Sequence, residues 1–405
     1  MRKTSIAASV LAIMSAWAHA EDSVSIYGII DSAVVDSTKV ATGNGRQTGN
    51  SAQVISGGLQ ASRIGFRGKE DLGGGLFAEF GLENGFATDT GAALQGGALF
   101  GRRSVVGLSG EHFGVLHLGR RKDFTDEIAE PYSSVTPFAP FITAIHANNL
   151  DRIGGNRANN MVYYSTPTFS GFRANASYGF GEAAGSVSTG QSLGFGANYD
   201  HGAFGIGVGY WQSKLGSASV ASSDQGASSG AGCSTTLAGN ATRAGQTCVR
   251  TWILGSHYMA GDLTLRGTYS QVRQPLVGAG TAAGSGPAFA ASFNATPGSS
   301  PFTAGGSNND KADILDVGLD YQLTPNILLT GSLIQASYHF VGASSNGKLT
   351  ELIAGIQYFL SRRTTLYTTV GTQGAADMYN PGVGTGAPGA DNRVSFLAVG
   401  MRHKF

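Results

Sequence analysis

The chain has 405 residues, a formal net charge of +1, 13 % charged side chains and a mean hydropathy of −0.02. That charge balance argues against a nucleic-acid binder, which needs a basic excess, and after residue 20 no apolar run is long enough for a membrane-spanning helix. A near-zero mean hydropathy fits a soluble protein and equally a sheet with one face in lipid and the other in water.

Residues 1–20 read as a secretory signal peptide. Arg2 and Lys3 precede an apolar run over about 6–16, and Ala18-His19-Ala20 forms an A-x-A cleavage signature. The run is too short to cross a bilayer as a helix. Its removal leaves residues 21–405 with a net charge near −1.

From residue 23 onward the chain alternates. Segment 23–35 places Ile26 and Ile30 on one face and Tyr27 and Asp31 on the other. In SRIGFRGKEDLGGGLFAEFGLENGF, residues 62–86, Ile64 and Phe66 interleave with Arg63 and Arg67, and Ala78, Phe80 and Leu82 with Glu79 and Glu83. Period two means strand, since successive side chains leave opposite faces of a pleated chain. Segments 101–108, 115–120, 161–166, 172–179, 193–199 and 204–211 follow, then 251–258, 263–273 and 312–321. The last of these sets Leu315, Val317, Leu319 and Tyr321 against Asp316 and Asp320. Segments 327–340, 349–359, 365–374 and 394–405 complete sixteen predicted strands.

The connections alternate in length. Short ones include 68–75, 109–114, 200–203, 259–262 and 323–326. Long ones cover about 36–59, 87–100, 121–160, 180–192, 212–250, 274–311, 341–348 and 375–393. Short turns at one end and long loops at the other are the plan of an outer-membrane barrel. Phe66, Tyr164, Tyr199, Tyr258, Tyr321, Tyr358 and Phe405 fall beside the short turns in the apolar phase, the pattern of an interfacial aromatic girdle, with Leu108 the exception. The sequence therefore predicts one all-β domain over 21–405: a 16-stranded antiparallel transmembrane β-barrel. Its apolar phase meets lipid, and the charges on the opposite phase border water. These include Asp31, Arg63, Arg67, Glu79, Glu83, Arg173, Arg266, Asp316, Asp320, Glu351 and Arg402. Strict alternation from Val106 and Leu108 puts Arg103 in the lumen and Arg102 outside. Cys233 and Cys248 share one Ser/Gly/Ala-rich stretch, which makes them a disulfide candidate in an exported chain.

Several stretches together resemble the general trimeric porins of Gram-negative outer membranes, in the neisserial, Bordetella-type and Burkholderia-type subgroup. They are VSIYGIIDSAV (24–34), the 62–86 segment, RRSVVGLSGEHFGVLHLGR (102–120), RANNMVYYSTPTFSGF (157–172), YFLSRRTTLY (358–367) and VGMRHKF (399–405). The resemblance implies a homotrimer in outer-membrane lipid and passive diffusion of small hydrophilic solutes and ions. It also implies a third loop, about 121–160, folded inward as a constriction, and a terminal Phe405 read by the barrel-insertion machinery. That loop opens with Arg120, Arg121 and Lys122, followed by Asp123, Asp126, Glu127 and Glu130. An acidic loop facing the basic residues Arg63, Arg67 and Arg103 would set a transverse field across the pore. The basic residues usual in this subgroup imply a weak anion preference.

No catalytic, metal or cofactor site is predicted. Gly226-Ala-Ser-Ser-Gly230 matches a nucleophile elbow but lies in a Ser/Gly loop, without the strand and helix that motif needs. The histidines lack ligand spacing. A barrel enzyme with a His, an acid and a nucleophile at one end, and a substrate-specific channel or adhesin, are the alternative readings.

Overall fold

The computed structural model describes residues 23–42, 47–123, 130–134, 136–138, 141–142, 145–146, 151–153, 157–214, 224–225, 248–273, 309–340, 346–378, 380–383 and 392–405. Its barrel strands are β1 (Ser23–Thr42), β2 in two segments (Gln47–Ser56 and Arg63–Gly73), β3 (Leu76–Gly85), β4 (Arg103–Gly110) and β5 (Gly114–Lys122). Then come β6 (Arg157–Ser165), β7 (Phe172–Gly179), β8 (Ser192–His201), β9 (Phe204–Lys214), β10 (Cys248–Ala260) and β11 (Leu263–Arg273). The last five are β12 (Asn309–Thr324), β13 (Ile327–Phe340), β14 (Gly347–Phe359), β15 (Thr364–Ala376) and β16 (Arg393–Lys404).

Each strand pairs antiparallel with its neighbours in sequence, and β1 pairs with β16 from Ile29 opposite Lys404 to Thr38 opposite Ser395. The described residues thus form a closed, sixteen-stranded antiparallel barrel without an open edge. Closure satisfies every strand's backbone groups, which a lipid environment requires. Among the described residues no helix is long and apolar enough to cross a membrane.

The predicted apolar phase points outward. Val24, Ile26, Val106, Val317, Leu319 and Val399 are exposed on the outer face. Tyr164, Tyr199, Tyr258, Tyr321, Tyr358 and Phe405 are 37–53 % exposed beside the short turns, and Phe66 is half-exposed at the same end. An outer surface this apolar is stable only against hydrocarbon, with the rings at the headgroup level.

The first hairpin is longer than expected. The predicted loop 36–59 is mostly strand, because β1 runs to Thr42 and pairs with Gln47–Ser56. The sequence signal was weak there, since both faces carry small and polar residues. Between its two segments β2 breaks at 57–62, opposite Ile30 and Asp31. Gly57 takes a φ of +82° at this break, where a glycine avoids the strain a Cβ would add. Asp31 organises it, accepting hydrogen bonds from Leu59 N at 3.0 Å, Gln60 N at 2.9 Å and Tyr367 Oη at 2.6 Å. Asp31 is thus fully buried and does not border water, a correction to the simple lumen assignment.

Candidate pore constriction

The described residues between β5 and β6 lie inside the barrel against one side of it, over inner faces of strands between β8 and β16. Each contact joins a loop residue to a strand residue far away in sequence. The Tyr132 hydroxyl donates to Asp200 at 3.1 Å, and its ring stacks on His257 at 5.3 Å. Arg266 bonds the Pro131 carbonyl and also Asp320, at 3.0 Å. Asp316 accepts from Ser134 N at 3.0 Å and from the Ser134 hydroxyl, while Ser332 Oγ donates to it at 3.1 Å. Farther along, Phe141 stacks on Phe396 at 4.2 Å, and Tyr338 Oη donates to the Ile145 carbonyl at 2.7 Å. Ser270 Oγ donates to Asp151 at 2.9 Å.

These contacts need strands with small residues beneath the loop. A Cβ on Gly255 would lie 2.7 Å from Tyr132 Cβ, and one on Gly318 would collide with Ser134. Between the polar contacts sits an apolar layer. Phe138, Phe141, Ile142, Ile145 and Ile153 from the loop are buried with Ile253, Ile314, Ile334, Ile353 and Phe396 from the strands. Burying a side chain of this size contributes about 1.5–3 kcal/mol, so the layer outweighs any single hydrogen bond in fixing the loop.

The loop is also braced internally. Arg152 and Asp123 form an ion pair buried on both sides, with the Arg152 guanidinium 4.1 Å over the Trp211 ring. His146 Nδ1 is 2.6 Å from Asp151 Oδ2. Burial pushes the His146 imidazole down, but the Asp151 carboxylate beside it prevails and holds it above the ordinary histidine value.

The opposite side of the barrel carries the predicted basic residues. Arg67 is exposed, with its Nε on Ser25 Oγ at 3.0 Å, and Lys69 lies 3.7 Å over the Phe77 ring. Arg63 and Arg103 are half-exposed on the inner face. The acids among them are engaged. Glu83 accepts from Arg102 Nε at 2.5 Å and Tyr27 Oη at 3.0 Å, with Arg63 at 4.0 Å. Glu79 accepts from Ser109 Oγ at 2.7 Å and lies 2.5 Å from His117 Nε2.

Several sequence expectations are corrected by this geometry. Arg102 does not face outward: it is buried against Glu83, because it precedes the first residue of β4 and escapes the strand's alternation. Arg120 stands opposite Ser104 in the outward phase of Leu118, bonded to the Gly101 carbonyl at 2.7 Å and Asn159 at 2.5 Å. Arg121 is inward and buried, 3.5 Å over the Tyr163 ring. Lys122 pairs with Glu130, and Asp123 is buried with Arg152, so neither Lys122 nor those two acids stands unneutralised. Asp316 is fully buried under Ser134 of the inserted loop, and Glu351 is fully buried as well, rather than bathed in water. Asp126, Glu127 and Cys233 lie outside the described residues, as does the Cys248 side chain. Residues missed from the sequence include His117, Tyr132 and Ser134. His117 could have been found, since it shares the inward phase with Gly119 and Arg121.

A family model described as Gram-negative porin matches residues 7–377. The chain belongs to the Gram-negative porin family. An outer membrane porin protein 32 from Delftia acidovorans is 38 % identical over 222 residues, covering 53 % of this chain and 60 % of its own length. A Bordetella pertussis outer membrane porin protein is 37 % identical over 189 residues, 44 % of this chain and 48 % of its own. This porin thus spans about half the length of the curated relatives it matches. Among solved structures, an anion-selective porin from Comamonas acidovorans is 25 % identical, with a TM-score of 0.67 over 95 % of this chain and 100 % of that one. The trimer form of OmpT from Vibrio cholerae, 14 % identical with a TM-score of 0.62 over 95 % of this chain and 99 % of that one, shares the fold. This porin is a multi-pass outer-membrane β-barrel, and its relatives are named as porins rather than enzymes.

Proposed function

We propose that this porin is a passive, water-filled channel for small hydrophilic solutes and ions, weakly anion-preferring and assembled as a homotrimer. One observation carries the reading. The inserted loop packs onto one side of the barrel, while the opposite side presents Arg67, Lys69 and Arg103 to the interior, with Arg63 beside Glu83, and Glu79 and Glu83 are already engaged by His117 and Arg102. Exposed fixed cations raise the local anion concentration in a narrow aqueous path. Among the described residues the field across the pore comes from this basic side, since Asp123 and Glu130 of the loop are neutralised locally. The 25 % identical relative named as anion-selective, and the trimer form among the fold neighbours, support selectivity and assembly respectively.

The test is the reversal potential of the purified protein in a planar bilayer under a KCl gradient. Chloride preference is expected in the wild type, together with a decrease in the combined Arg63→Ala, Arg67→Ala variant. Cation preference in the wild type overturns the selectivity, and a folded trimer without conductance overturns the channel.

A further inference from the structure

His117 occupies a position whose hydrogen bonds dictate its protonation. Its Nδ1 lies 2.7 Å from Arg121 Nη1. A guanidinium has donors only, so Nδ1 must accept and carries no proton. Nε2 is 2.5 Å from Glu79 Oε1, so the ring proton sits there. The geometry therefore specifies a neutral imidazole in one tautomer, buried at 4 % exposure.

Among the described residues, charged and aromatic groups of four strands face it, and Arg121 Nε also donates to the Lys122 carbonyl at 2.9 Å. Glu79 faces it from β3, fixed also by Ser109 of β4. Arg103 of β4 projects from the same inner face, Tyr163 of β6 stacks on the imidazole at 6.5 Å, and Arg121 follows on its own strand. Arg121 lies flat on Tyr163 at 3.5 Å and is buried. It is thus a cation withdrawn from the basic side of the pore, held in part by the lone pair of His117.

We propose that His117 is a positioning residue for selectivity: when its Nδ1 takes a proton from water, two donors oppose each other, and Arg121 is displaced from it toward the lumen. The inference rests on the channel reading above. The proton balance is one H⁺ bound from solvent per subunit, with Glu79 retained as the partner of Nε2. Protonation adds one positive charge behind the pore surface and brings forward a second that was masked. The chloride-to-potassium permeability ratio is expected to rise about two-fold through this step, as positive charge is added along a screened aqueous path.

Reversal potentials between pH 5 and 8 test it, on wild type and His117→Gln. The glutamine amide donates to Glu79 and accepts from Arg121 at every pH. A one-proton step in the wild type that is absent from His117→Gln supports the proposal. The same step in both, or a flat wild-type profile, overturns it while leaving the channel reading intact. A folded wild type without conductance overturns both. Nitrogen NMR of histidine-labelled wild type gives a check needing no variant. At pH 8 the His117 proton is expected on Nε2, and finding it on Nδ1 overturns the proposal.

Discussion

Replacing Phe141 by alanine should release the inserted loop without unfolding the barrel. Phe141 has no exposed surface, and its ring lies 4.2 Å from that of Phe396 at an interplanar angle of 17°. Truncating a buried phenylalanine costs about 3–5 kcal/mol, including the cavity left behind. None of that cost falls on the strand ladders, whose hydrogen bonds are backbone to backbone, so it is drawn from the loop's docking equilibrium. At about 1.4 kcal/mol per factor of ten, the undocked fraction should increase by about 10²-fold to several thousand-fold. Amide hydrogen exchange reads this directly. The Phe141 and His146 amides, bonded to the Phe138 and Ile142 carbonyls, should exchange faster by that factor. Amides of β12 and β13 away from the loop should keep their protection. Phe396→Ala should act alike, and the double variant should fall short of the sum by about 0.5–1.5 kcal/mol, the aromatic pair's own contribution. Unchanged loop exchange, or loop and strand amides accelerating together, would refute the view that this layer holds the loop.

Two further expectations concern charge. The raised His146 value means that the folded state binds its proton more tightly than the unfolded chain. Its stabilisation is therefore complete below about pH 6.5, the unfolded value, and is lost as pH rises through the higher folded value. Urea denaturation should show this alkaline loss in the wild type and a flatter profile in His146→Gln, and identical profiles would count against the ion pair. On the outer face, Val317→Arg places a cation among exposed apolar side chains. It should destabilise the barrel in lipid by about 2–4 kcal/mol, measured by urea titration in vesicles, whereas no loss would mean that Val317 does not meet hydrocarbon.

The strand phases were legible because lipid and water impose opposite demands on alternate residues, as at Leu315, Val317 and Leu319. The seating of the loop was not. Asp316 shares the phase of Asp320, yet it is buried by Ser134, 182 positions away, and no local pattern carries that contact. Ile314 reads as an irregular apolar residue on a water-facing phase until Phe138 and its neighbours cover the inner sheet. Arg102 was misplaced because alternation was extended one residue beyond the strand. The charges near Arg63 were found as residues but not as pairings: which of them stay unneutralised depends on Tyr27, Ser109 and His117 from neighbouring strands.

The ring is sealed by its first and last strands. Gly28 and Phe405 exchange backbone hydrogen bonds of 3.1 Å in both directions, and Ile29 lies opposite Lys404. Closing so long a loop carries a large entropic cost before any contact repays it. A sheet lacking β16 would expose the unpaired backbone edges of β1 and β15, so this one pairing removes both edges at once.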